Sequence, residues 1–312
     1  MLSRHNIRVK VLQTLYAHTQ DESSTPAMAE INYLRATQSS YKLYLYNLYF
    51  LQCIADYARK DYDIKTHKNL PTDRDREASM RLYDNPIIAA LRQNENYQKL
   101  LRKEMIPHKV DFDFVRILFK KFADSEYYHT YLKMANPPLR EHQYCLVNLY
   151  KFILAEDVFQ EHIDDLFPLW EEDVSLLYGA IKNTIRQLPE TQDFYLSFVP
   201  SAEFVHDFGK QLLYDVMSHN DELQPVIAEK LRNWDEDRIA IMDMLIIKMA
   251  MCELMYHPSV PTKVTLDEYV SIAKEYSTDK SQRFINGILD RIMHTLNEQG
   301  KVQKAGRGLQ EE

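Results

Sequence analysis

The sequence predicts an all-α protein, and three observations carry that reading. Glycine is scarce, six residues in 312 with three of them after residue 299, so the turns that sheet proteins use in quantity are missing. Strand signals are weak: no segment sustains apolar–polar alternation. Apolar residues recur instead at helical spacing between dispersed prolines.

The elements follow in order. Ser3 is a fair N-cap for a helix over 4–19, where Ile7, Val11 and Leu15 stand at four-residue steps with Leu12 beside them. The small, polar stretch 21–29, interrupted by Pro26, ends it. A long segment from about 30 to 60 carries Tyr41, Tyr44, Tyr46, Tyr49 and Phe50, and its apolar residues go all round the helix. That pattern implies burial between several neighbours, with a partner groove as the other use of the aromatics. The charged stretch 61–78, which holds Pro71, reads as an exposed loop. Further helices are bounded by Pro86, Pro107, Pro137-Pro138, Pro168, Pro189 and Pro200. They show no fixed period, so a solenoid is excluded.

The last hundred residues are the clearest. Helices are expected over 203–216, 220–232 and 236–256. In the third, Asp243, Lys248 and Glu253 are the only charges between Arg238 and His257. Five-residue steps turn by about 140°, so the three charges point in different directions, and a helix apolar on every side is a central core element. Pro258 and Pro261 end it. Thr265-Leu-Asp-Glu268 reads as a capping box opening the next helix, with Tyr269 and Ala273 on its inner side. Ser277 and Thr278 break that helix and cap a last one, whose apolar face is Phe284, Ile285, Ile288, Leu289, Ile292 and Leu296.

Composition narrows the function classes. The net charge of −8 argues against a broad nucleic-acid-coating surface, because phosphate affinity comes from Lys and Arg. Charge is segregated, however. The first twenty residues hold three basic side chains and no acid, while eight acids and no Lys or Arg lie between Phe152 and Ile181. Any nucleic acid must therefore meet a local patch. The acidic run from Glu156 to Asp173 is read as a solvated face or as a contact for a basic protein. Three dispersed cysteines, Cys53, Cys145 and Cys252, match no metal spacing and fit a reducing compartment. The start has no apolar signal region, and no stretch approaches the ~18 apolar residues of a membrane span. The expectation is a cytoplasmic protein with no membrane partner, no cofactor and no metal.

The segment 234–292 resembles the C-terminal half of the NusB family. The resemblance rests on Cys252-Glu253-Leu254, Val260-Pro-Thr-Lys263-Val264, Asp267-Glu268, Ala273-Lys274, Ser281 and Arg283-Phe284-Ile-Asn286-Gly287-Ile-Leu289-Asp290. Residues 204–232 resemble the preceding helix pair more loosely. Arg8 through Gln13-Thr-Leu15-Tyr16 resembles the family's arginine-rich first helix, with His5 and Asn6 where arginines are usual. The resemblance implies a NusB-like helical bundle built from 1–20 and 201–299, an all-helical insertion over 21–200, and a flexible tail over 300–312. It implies binding of boxA-type RNA with the ribosomal protein NusE, as part of the transcription elongation complex in antitermination and ribosomal RNA synthesis. NusB-like domains also occur fused to RNA methyltransferases, but no Gly-rich cofactor loop or catalytic Cys motif is visible here.

Carried over residue by residue, the RNA-contacting set is Arg4, His5, Arg8, Gln13, Tyr16, Lys280, Arg283 and Phe284, and Asp243 matches a position bordering the NusE side. Guanidinium groups suit phosphates and stack on splayed bases, and a helix start favours phosphate. Each also has a structural reading. Arg8 shares a side with Leu12 and Leu15, so it reads equally as a buried arginine, and Glu253, mid-stripe in the central helix, is the candidate partner. Tyr16 and Phe284 read equally as core, the two C-terminal cations as surface, and Asp243 as a solvated or capping acid.

Two rival classes stand beside the adaptor. One is a helical protein–protein scaffold without RNA binding. The other is a carboxylate-bridged di-iron bundle, suggested by Glu126-Tyr-Tyr-His129 and Glu203-Phe-Val-His206. No nucleophile–base set stands out, and the reading is a non-enzyme.

Overall fold

A computed structural model describes residues 2–168, 170–231 and 239–309. Among them every regular element is helical, which makes the protein all-α. The chain forms two compact units, Ser39–Val199 and the pair Leu2–Gln38 with Pro200–Glu312.

The first unit takes most of α2 (Pro26–Thr66) together with α3 (Asp73–Arg76), α4 (Pro86–Gln93), α5 (Glu95–Lys103), α6 (Phe112–Ala123), α7 (Glu126–Lys133), α8 (Leu139–Ala155), α9 (Asp157–Leu166) and α10 (Val174–Gln187). Of two prolines read from sequence, one in the break after the first helix and one as a helix boundary, both begin a helix. Pro26 and Pro86 are the first residues of α2 and α4, where a missing N–H costs nothing and the fixed φ suits the helix. The loop expected from 61 is helical as far as Thr66. Tyr44, Tyr46 and Phe50 are buried in the core of this unit, and Tyr41 and Tyr49 pack against it, so the aromatic run is core and not a groove. The acidic run from Glu156 is carried by α9 and the single turn Trp170–Asp173.

The second unit closes head to tail. It holds α1 (Arg4–Gln20), the start of α2, a π-helical stretch Glu203–Lys210 running on into α11 (Gln211–Ser218), α12 (Asn220–Lys230), α13 (Ile241–Tyr256), α14 (Thr262–Tyr276) and α15 (Asp279–Glu298). Ser3 caps α1 in a reciprocal box with Asn6, and Thr278 caps α15 by accepting from the Ser281 N–H. The expected start of the central helix at 236–238 lies outside the described residues. From Ile241 onward α13 is packed by α1, α11, α12, α14 and α15. Its three charges point in different directions, as their spacing requires: Asp243 accepts from Ser277 at the α14–α15 turn, Lys248 donates to Asn220 of α12, and Glu253 faces α1. The Thr265 capping box is not formed. Pro261 opens α14 one turn earlier, and Thr265 lies buried inside the helix with its hydroxyl turned to Glu253.

Residues 300–309, expected to be flexible, dock on the end of α13. Lys304 Nζ donates to the Glu253 and His257 carbonyls (both 3.2 Å), and the Ala305 N–H donates to the Pro258 carbonyl (3.0 Å). The Glu253 and His257 carbonyls also accept the His257 and Val260 N–H groups (3.3 and 3.2 Å), so Lys304 adds a second, charged donor at the C-terminal end of the helix. A Cβ on Gly308 would lie 1.9 Å from the Pro258 carbonyl oxygen, so only glycine permits the close approach. Gly308→Ala is therefore expected to speed amide exchange at Ala305 by about tenfold or more, in line with the ~1–3 kcal/mol that over-packing costs. Exchange rates equal to the parent's would show that the docking does not depend on that contact.

Candidate functional site

The second unit is organised around a buried ion pair. Arg8 and Glu253 are 1% and 0% exposed, and they meet in a two-pronged geometry: Nε donates to Oε2 at 2.8 Å and Nη2 to Oε1 at 2.7 Å. The separation lies well inside salt-bridge distance, so the pairing anticipated from sequence is present. Two hydroxyls complete the carboxylate, Thr265 to Oε1 (2.9 Å) and Tyr269 to Oε2 (3.0 Å), one helical turn apart on α14. Arg8 Nη1 also reaches Glu268 (3.3 Å), and its guanidinium lies over the rings of Phe208 and Tyr269. Burial alone would raise the Glu253 pKa, but the Arg8 hydrogen bonds and charge and the Thr265 hydroxyl outweigh it, leaving the carboxyl below its ordinary value. Burial likewise opposes the charge on Arg8, and Glu253 more than offsets it. As a candidate nucleic-acid contact Arg8 is thus corrected: it has no free surface, and its role is to fix α1 on α13 and α14.

That fixing sets the neighbouring cations. Arg4 Nη2 lies 3.3 Å from Glu203, with its guanidinium over Phe204 and Phe208, while its Nε is buried with no hydrogen-bond partner among the described residues. His5 sits between two acids of α14, Nδ1 2.8 Å from Glu268 and Nε2 3.6 Å from Glu275. Both residues keep part of their side chains in solvent. Glu275 is five residues before Lys280, so the start of α1 lies against the end of the helix that leads into α15.

On α15, Lys280 and Arg283 are exposed, and no ion pair engages either among the described residues. Phe284 is half-buried. On α1, Tyr16 is 39% exposed, and Gln13 is half-buried with its Nε2 lacking a hydrogen-bond partner among the described residues. Twelve residues separate Arg4 from Tyr16, ~18 Å along the helix. Asp243 is 4% exposed and accepts the Ser277 hydroxyl at 2.6 Å, which corrects it from a partner-facing acid to the anchor of the α14–α15 turn.

The di-iron alternative finds no support in these positions. Among the described residues no three His, Cys, Asp or Glu side chains gather as a metal site. His129 lies 3.6 Å from Glu77 in the first unit, and Glu203 is taken by Arg4 in the second. No described helix is long and apolar enough to cross a membrane.

Comparison with known proteins bears on this arrangement. The NusB family model matches residues 174–294. Over 103 residues the chain is 40% identical to the transcription antitermination protein NusB of Salinibacter ruber, covering 33% of this chain and 64% of that one. It is 39% identical to the protein of the same name from Chloroherpeton thalassium, covering 33% of this chain and 49% of the relative. Against the Geobacter sulfurreducens protein it is 38% identical over 101 residues, 32% of this chain and 73% of the relative. The chain belongs to the NusB family. It spans about half to two thirds of the length of the first two NusB relatives. No solved structure matches it. The NusB family match begins at the start of α10, in the first unit, and ends within α15, so α1 lies outside it.

Sequence reasoning misses the acids around Arg4 and His5. Glu268 had been given to a cap, Glu203 to a possible metal motif, and Glu275 had drawn no attention. A signal is available for the first: Thr265, Glu268 and Tyr269 stand at i, i+3 and i+4, the spacing that puts three polar-tipped side chains on one helix face.

Proposed function

We propose that this NusB-family protein is a transcription antitermination factor, a non-enzymatic adaptor that binds boxA-type single-stranded RNA together with the ribosomal protein NusE within the transcription elongation complex. The RNA-binding domain would be the head-to-tail unit, with Arg4 and His5 at the start of α1 and Lys280 and Arg283 at the start of α15 as the cationic contacts. Gln13, Tyr16 and Phe284 would offer polar and stacking contacts. The single observation that carries this reading is the Arg8–Glu253 pair, which locks α1 to α13 and sets His5 within 3.6 Å of the end of α14. Cations from both ends of the chain thereby belong to one structural unit. The relatives' name supplies the transcriptional context.

The acids around Arg4 and His5 favour one alternative, a protein–protein scaffold in which α1 no longer meets RNA. Titrating a labelled boxA-like strand, with and without NusE, separates the two. Replacing Arg4 and Lys280 by Glu is expected to weaken binding at least ~tenfold and to lower the slope of log affinity against log salt by about 1.4, near 0.7 per lost phosphate contact. Lys280→Glu alone, on an exposed side chain, should give about half of that slope change. Unchanged affinity and slope in both variants would remove α1 and α15 as the RNA contact, and no binding of the strand by the parent, with or without NusE, would leave the scaffold.

A further inference from the structure

The first unit carries a surface that the reading above does not use. Helices α8 and α10 run antiparallel, with Gln143 Nε2 donating to the Arg186 carbonyl (3.2 Å) at one end and Lys151 Nζ standing 5.9 Å from the Tyr178 ring centroid at the other. The two contacts are eight residues apart on each helix, so the register holds along ~12 Å. Arg140, Tyr144 and Lys151 follow one another at steps of four and seven on α8, and Tyr178, Lys182 and Arg186 at steps of four on α10. These are the spacings that keep side chains on one helix face. Tyr144 is 55% exposed, and Arg140, Lys151 and Arg186 are exposed as well. Tyr178 is half-buried, stacked on Tyr150 with the planes 6° apart, and it has Lys182 Nζ at 5.7 Å in addition to Lys151.

Charge decides what such a face can hold. α10 contains no Asp or Glu, and α8 contains only Glu141. None of the four cations is in an ion pair with a described residue, although the unit as a whole is rich in acids. A solvated face in an acidic protein is expected to mix signs; this one keeps four cations together and sets aromatic rings among them. Cations with interleaved aromatics match a flexible polyanion whose planar groups are free to stack, which describes single-stranded nucleic acid better than a duplex or an acidic peptide.

We infer that the α8–α10 face of the first unit is a second single-stranded RNA contact, with the four cations on phosphates and Tyr144 stacking a base. It is independent of the α1 and α15 reading. The test uses the full chain with Arg4→Glu and Lys280→Glu as background and a fluorescein-labelled 12-residue polyuridine as probe, read by anisotropy. The background protein is expected still to bind. Adding Lys151→Glu and Lys182→Glu should weaken that binding at least ~tenfold and lower the salt slope by about 1.4. Tyr144→Ala should weaken it about fivefold or more with the slope unchanged. Lys151→Gln with Lys182→Gln, which removes attraction without adding repulsion, should fall between. Polyuridine affinity unaltered by the paired Glu and Gln variants would overturn the inference. So would a duplex RNA or polyglutamate bound as tightly as the single strand. Failure of the boxA reading would show elsewhere, as boxA binding by the background protein equal to that of the parent.

Discussion

Glu253→Ala is expected to lower the unfolding free energy by ~3–5 kcal/mol, the cost of leaving a buried charge without its partner. The partner here is Arg8, which is 1% exposed and has, among the described residues, only Glu268 as a second acid. Urea unfolding should show the midpoint falling with an unchanged slope. Glu253→Gln should lose nearly as much, because the charge is gone and the amide NH2 can accept neither the Arg8 N–H nor the hydroxyl that the second carboxylate oxygen takes. Replacing both partners by apolar residues, Arg8→Met with Glu253→Leu, should restore much of the loss. The acid limb follows from the lowered Glu253 pKa. A carboxyl held below its ordinary value of 4.5 contributes stability that is fully present above that value and disappears as pH falls through the lower folded value. Glu253→Ala should therefore flatten the stability profile in that window. A loss below ~1 kcal/mol would mean that water reaches the pair.

The second large effect is expected at Gly209, near the end of the π-helical stretch. A Cβ there would stand 2.0 Å from the Tyr33 hydroxyl oxygen and 2.4 Å from Ile7 Cγ2, and the Tyr33 hydroxyl is held by the Val205 carbonyl at 2.9 Å. Neither neighbour is the loose end of a flexible side chain: both are fully buried, and Ile7 lies on α1 one residue before Arg8. Gly209→Ala should cost ~1–3 kcal/mol by over-packing. Tyr33→Phe alone should cost about 1 kcal/mol for the lost hydrogen bond. The double variant should cost less than the sum, because the phenol that clashes is also the one removed. Additive losses would show that the clash is relieved elsewhere.

How much of this was legible in the sequence depends on the range of the forces involved. Helix periods, the Ser3 and Thr278 caps and the apolar α13 are local patterns, and each appears at its expected place within a few residues. The Arg8–Glu253 pair was legible for a different reason: a carboxylate in an otherwise apolar stripe demands a cation, and few cations stand in apolar stripes. The compensation of Arg4 and His5 was not legible. Glu203, Glu268 and Glu275 sit on helix faces that are unremarkable in one dimension, and only tertiary packing brings them to α1. The burial of Asp243 was not legible, because a matched family position does not say what the side chain touches, and the Ser277 hydroxyl that settles it inside comes from the α14–α15 turn. The α8–α10 face was hidden by the acidic run between its two helices, which lies on α9 and the following turn.

The bond between Arg8 and Glu253 joins residues 245 positions apart. During synthesis at ~5–20 residues per second, about 10–50 s pass between the appearance of the guanidinium and that of its carboxylate. The helix that opens the chain is thus made early and seated late, while every residue of Ser39–Val199 has been made before α13 is translated. A ribosome-bound intermediate should accordingly carry a finished middle and an incompletely anchored beginning, and a stop codon placed just before residue 253 would yield a chain whose first helix keeps Glu203–Lys210 and α11 as neighbours but leaves Arg8 without its carboxylate.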